Sequence, residues 1–208
     1  MVVTEISQGL WFVFFGFSAI AGGLLVRKAL SKEITRSQRE YYLGMAFFIL
    51  VHIIARCFYY FYDFIDQDPL YWETGALIGI GSVIFLLYAI ERNVFTRTKF
   101  LITIISTINL ILLIILPEGL KPIIQTINTG MIGVFIPLIY FYVAYKSTGS
   151  YRKDSLLIAI GILIFLAGQT AHMRALFIPE NIFYFILSPL LMIVGGIIFI
   201  YALLKTSK

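Results

Sequence analysis

"VHIIARCFYYFYDFIDQD", residues 51–68, runs from an apolar stretch into a group of carboxylates and sets His52 and Arg56 inside the apolar part. Hydrocarbon accepts such groups only where protein or water faces them. Whether this stretch crosses a membrane therefore decides both the fold and the meaning of its polar residues. The chain around it answers the first question. Of 208 residues, 60% are hydrophobic and 13% charged, about half the roughly 25% charged residues of a soluble domain.

The apolar residues gather into seven stretches, near 8–28, 41–62, 73–91, 99–116, 122–145, 155–177 and 181–204. Each meets the roughly 17–25 residues that a membrane span requires. The connections are short and contain no low-complexity linker, so 1–208 reads as a single all-α domain, an integral membrane bundle of seven transmembrane helices. The first stretch is a span rather than a secretory signal. Glu5 precedes it, no base does, and Arg27 and Lys28 follow it, the reverse of a signal's charge order. The single cysteine, Cys57, excludes an internal disulfide and a Cys-rich metal site. The bases sit between apolar blocks rather than on a stripe or tail, which argues for lipid and against nucleic acid.

Their positions also set a direction. Arg27, Lys28, Lys32, Arg36 and Arg39 follow the first span; Arg92, Arg97 and Lys99 the third; Lys146, Arg152 and Lys153 the fifth; Lys205 and Lys208 the seventh. The opposite connections carry Asp63, Asp66, Asp68, Glu73, Glu118 and Glu180. The excess of Lys and Arg marks the cytoplasmic side, so the N-terminus is expected outside and the C-terminus inside, in the plasma membrane.

With that direction, the intramembrane polar residues share one depth. At about 1.5 Å per residue, Arg56 lies about 10 Å and His52 about 16 Å inward of Asp63. His52, Arg56, Tyr59, Tyr60 and Asp63 fall on one side of the second helix. Glu73, Asn109, Asn128, Gln169, His172 and Ser188 lie in the same outer half. Together these eleven residues are expected to line a polar, outward-facing ligand cavity, with Arg56 on Asp63 or Glu73 and His52 on Gln169 or Asn109. Arg174 is placed to snorkel toward the outer surface. Gly22-Gly23, Gly79 with Gly81, Gly161 with Gly168, and Gly195-Gly196 suit close helix approach, and Pro137 and Pro189 suit kinks.

Several chemistries lack their residues. The last span offers only Lys205 at its end, so no Schiff-base lysine for retinal is present. No HExxH or HxxxH pair supports a zinc hydrolase, and Gly79-x-Gly81 has no downstream GK[ST] for a phosphate loop. No cofactor or metal is expected, and no enzyme. Glu91-Arg92-Asn93 occupies the place of the acidic-Arg-Tyr triplet of receptors coupled to G proteins, but its third residue differs and charges at a helix end are ordinary.

Two resemblances follow from longer stretches. Helices one to three and five to seven share a plan, and "VIFLLYAIER" (83–92) and "IIFIYALLK" (197–205) both end in Tyr-Ala, two residues and a base. This three-plus-one-plus-three arrangement resembles that of sugar exporters of the SWEET type, which would imply a small-solute transporter, although the prolines of those proteins are missing from helices one, two and six. "YAIERNVFTRTKF" (88–100) and "YVAYKSTGSYRKDSLLIAIGILIFLAGQ" (142–169) resemble the seven-helix input region of prokaryotic histidine kinases and free-standing archaeal proteins of that kind. That resemblance implies a sensor that binds a small molecule or lipid head group and passes a helix movement inward. No kinase segment follows Lys208, so it implies a separate cytoplasmic signalling partner, expected on residues 27–40, besides membrane lipids. A structural or assembly subunit is the remaining expectation.

Overall fold

The computed structural model describes residues 2–177 and 183–205. Glu180 and Lys208, and the side chains of Glu118 and Arg174, lie outside the described residues. The described chain is helical: α1 (Val2–Ala29), α2 (Arg36–Phe64), α3 (Pro69–Asn93), α4 (Leu101–Ile115), α5 (Lys121–Lys146), α6 (Gly149–Phe177) and α7 (Phe183–Lys205), with short 3-10 turns at Thr96–Thr98 and Glu118–Leu120. Six of these helices are long and apolar enough to cross a membrane, so the chain is a multi-pass membrane protein.

The exception is α4. Its 15 residues extend about 22 Å, against about 30 Å of hydrocarbon. Both ends have a local cause. Lys99 and Phe100 take left-handed backbone, φ 48° and 65°, which β-carbons disfavour and which interrupts any helix running on from α3. At the other end Leu116 is extended, ψ 150°, because the ring of Pro117 crowds the preceding residue out of helical geometry.

Other helices begin earlier than their apolar content suggests. α2 starts at Arg36 behind a capping box, in which Thr35 accepts from the Gln38 amide and the Gln38 side chain accepts from that of Thr35. Two orphan donors of the first turn are thus satisfied reciprocally. α3 starts at Pro69, with Asp68 accepting from the Leu70 amide; proline suits a first-turn position whose N–H has no partner. The basic segment 27–40 is therefore mostly helix, and only residues 30–35 connect α1 to α2.

The chain groups into two compact units, Met1–Phe17 with Gly133–Lys208, and Ser18–Ile132. The second is organised around an α2–α3 hairpin. A β-carbon on Gly44 would run into Ala89, and one on Gly75 would lie 3.1 Å from both the Ala55 carbonyl and the Tyr59 ring. Gly22 of α1 receives Leu50 of α2 in the same way, and the short α4 packs beside α3. Met45, Ala55, Leu87 and Ile90 fill this core.

The other unit is organised around an α6–α7 hairpin that is tighter still. A β-carbon on Gly195 would meet the Phe165 amide nitrogen at 2.5 Å and the Gly161 carbonyl at 2.6 Å; one on Gly161 would meet the Phe199 nitrogen at 2.7 Å; one on Gly168, the Ser188 carbonyl at 2.8 Å. At these three positions the helix backbones touch, which any larger residue forbids. The first half of α1 closes this unit: Phe17 fills the space over Gly196, Phe14 packs on Phe165, and Ser7 donates to the Phe185 carbonyl at 2.9 Å.

Candidate functional site

The second helix brings His52 and Arg56 one turn apart, and an i,i+4 spacing puts both on the same side. Arg56 Nε donates to His52 Nε2 at 3.1 Å. With Nε2 accepting, the imidazole carries its hydrogen on Nδ1, which lies 3.2 Å from Ser82 Oγ on α3. Ser82 in turn donates to the Gly79 carbonyl at 2.6 Å. A directed chain of hydrogen bonds thus runs Arg56 to His52 to Ser82 to the α3 backbone, through side chains that are 4%, 4% and 0% exposed. Each group removed from water has a partner here, as burial requires.

Toward the α2–α3 turn the cluster becomes aromatic. The Arg56 guanidinium lies 5.2 Å from the centre of the Tyr59 ring, within the range of a cation–π attraction. Tyr59 and Tyr62 both pack on Trp72, at 4.7 and 5.8 Å. The carboxylate of Asp63 is within electrostatic reach of Arg56. Tyr60 rests against Phe64 at 5.0 Å. Glu73 pairs with Lys121 at 2.9 Å, joining the second turn of α3 to the first residue of α5.

Several of the remaining expected residues have partners of their own. Asn109, one of the partners anticipated for His52, gives its amide to Asn128 at 3.3 Å. The Asn128 Nδ2 and the hydroxyl of nearby Ser106 are buried without a partner. In the unit that holds α6 and α7, His172 is buried edge-on against Trp11, ring centres 5.5 Å apart. Gln169 is half-buried, and Ser188 is buried 4.0 Å from the Met192 sulfur. His52, Arg56, Tyr59 and Asp63 are thus brought into one cluster, while Glu73 and the two asparagines belong to pairs of their own.

The bonding roles of two buried residues, Ser82 and Glu91, are not anticipated from the sequence. Ser82 gives no signal in an apolar run, since a lone serine there usually bonds its own helix; only its alignment with His52 reveals it. Glu91 is more instructive. It is 1% exposed and accepts from the backbone amides of Ile102 at 3.1 Å and Thr103 at 2.7 Å, and from the Thr103 hydroxyl. Those amides are the second and third of α4, whose own cap position is Phe100 and makes no side-chain cap bond. Glu91 therefore does from α3 what an N-cap side chain does locally, and its charge suits the positive end of the helix. A helix start lacking Ser, Thr, Asp or Asn was the available clue. Its neighbours are engaged too: Arg92 pairs with Glu40, and Asn93 accepts from Ser37 at 2.7 Å. The Glu91-Arg92-Asn93 triplet thus ties the start of α2, the end of α3 and the start of α4 together.

Comparison with protein-family models, with curated proteins and with solved structures finds no match to this chain.

Proposed function

We propose that this protein is a membrane sensor that binds a small molecule or lipid head group at the Arg56–His52 cluster and relays helix movement along α3. The observation that carries this reading is the buried chain Arg56–His52–Ser82–Gly79 in an otherwise apolar hairpin. A purely structural span has no need of a buried guanidinium, whose placement in hydrocarbon is costly. Ser82 and Glu91 lie on one helix, nine residues and about 13 Å apart, so a shift of α3 that follows ligand binding also moves the cap of α4. The ligand's differential affinity for the two arrangements supplies the signal. On this reading the cluster opens to the outside, the N-terminus is external, and the triplet at Glu91 lies at the cytoplasmic surface.

The test is direct. Small molecules retained by the purified protein are identified by mass spectrometry, then added back while thermal stability is followed. A retained compound that raises Tm for the wild type and not for Arg56→Ala supports the reading. A protein that retains nothing and responds to nothing overturns it. Single cysteines introduced at Ser31 and at Asp66 in a Cys57→Ser background, probed with an impermeant maleimide, decide the orientation.

A second reading, small-solute transport, draws on the two hairpins. α3 and α7 both stack a last-turn base on a tyrosine one turn earlier, Arg92 on Tyr88 at 5.8 Å and Lys205 on Tyr201 at 5.7 Å. This gives the Tyr-Ala-x-x-base repeat a common physical role. Flux into proteoliposomes that stops with Arg56→Ala would favour transport over sensing.

A further inference from the structure

From Arg56 to the α2–α3 turn, the side chains change character in a fixed order. Arg56 is buried and lies over Tyr59. Next come three rings in contact, Tyr59 and Tyr62 inclined at 57° and 54° to Trp72. Asp63 follows, seven residues beyond Arg56 on the same side of the helix, hence about 10 Å along it. Tyr62 and Trp72 are only half-buried, so their rings are reached from the turn, while the two carboxylate oxygens of Asp63 are enclosed, as Arg56 is. A buried guanidinium and an enclosed carboxylate thus stand about two turns apart along α2, with the partly exposed rings of Tyr62 and Trp72 beside them.

Resting on the binding function proposed above, we infer that this hairpin takes a zwitterion of phosphate and ammonium, with its anionic group at Arg56 and its ammonium against Trp72, Tyr62 and Asp63. A guanidinium offers planar paired donors to a phosphate. Tryptophan and tyrosine faces attract an ammonium, and a quaternary one most characteristically. Charge balance selects the combination: Arg56 and Asp63 offset each other, so a ligand of net charge leaves one buried charge uncompensated, whereas a zwitterion does not. Phosphocholine and phosphoethanolamine have this chemistry, whether free or as lipid head groups.

The experiment follows thermal unfolding of the full chain in a non-ionic detergent. The probes are free phosphocholine, a short-chain phosphatidylcholine, inorganic phosphate and tetramethylammonium. The zwitterion is expected to raise Tm with concentration, and phosphate or tetramethylammonium alone to act at least about tenfold more weakly. Stabilisation by both zwitterionic probes identifies a soluble or lipid-borne source alike; stabilisation by the lipid alone identifies the membrane as the source. Trp72→Leu weakens the zwitterion, and Trp72→Phe, which keeps an aromatic face and serves if the leucine variant fails to fold, weakens it less. Asp63→Asn leaves Arg56 uncompensated and shifts preference toward phosphate. Phosphate or tetramethylammonium matching phosphocholine, or an unchanged ranking in Asp63→Asn, overturns the inference. A retained, Arg56-dependent compound that is not a zwitterion overturns it while leaving the binding function standing; no response to any compound removes both.

Discussion

The α2–α3 and α6–α7 hairpins face the same problem with different means. Lipid is as apolar as leucine, so neither hairpin gains from hiding hydrophobic surface, and both depend on close packing or polar bonds. α6–α7 uses packing: Gly161, Gly168 and Gly195 let backbone meet backbone, with room for no β-carbon. α2–α3 also has close approaches, at Gly44 and Gly75; both hairpins bury polar residues, Asp154, Ser155, His172 and Ser188 in α6–α7, and in α2–α3 His52, Arg56 and Ser82, which form a hydrogen-bonded chain between the two helices. In the first hairpin three glycines restrict the fit by size; in the second, a hydrogen bond between the helices, His52 to Ser82, adds to the restriction by size. A site that recognises a ligand needs groups whose partners can be exchanged, and the Arg56–His52–Ser82 chain of the second hairpin supplies such groups.

The contrast can be broken most readily at Gly195. Gly195→Leu drives side-chain atoms into the α6 backbone and is expected to cost at least about 3 kcal/mol, read as loss of monodisperse protein. A leucine variant as stable as the wild type would dissolve the distinction. Next in size is Ser82→Ala, which leaves the His52 donor buried without its acceptor. It is expected to cost about 1–3 kcal/mol, and His52→Leu combined with Ser82→Ala should cost less than the two changes added, as a double-mutant cycle in thermal or denaturant unfolding would register. Additive costs would mean that the hydrogen bond has no energetic weight. Glu91→Ala removes the cap of α4 and is expected to cost about 0.5–2 kcal/mol, with hydrogen exchange rising first at Ile102 and Thr103. The smallest effect belongs to Lys121→Gln. Its pair with Glu73 is partly solvated, and a change within about 1 kcal/mol is expected; a large loss there would move the energetic centre of the unit away from the Arg56 cluster.

Much of the architecture is legible in single segments. The lengths of the apolar runs place six spans, and Thr35 with Gln38, Asp68 with Pro69, and Pro117 mark helix ends by chemistry confined to a few neighbours. The run at 99–116 misleads because hydropathy is blind to Lys99 and Phe100 turning left-handed. Of the candidate site, His52 and Arg56 announce themselves as costly residues in an apolar run. Ser82 and Glu91 do not, since their roles depend on groups 30 and 11 residues away.

The sequence by itself determined that this chain is helical, crosses a membrane several times, and concentrates its bases at one set of helix ends. Those properties follow from composition over a window, where each residue adds its share independently. Only the tertiary structure decided that His52 bonds Ser82, that Asn109 bonds Asn128, and that Glu91 caps a helix to which it does not belong. A hydrogen bond between helices requires the correct rotation and register of both, and one residue of slip turns a side chain by about 100°. Packing fixes that register, and no pattern within either helix records it.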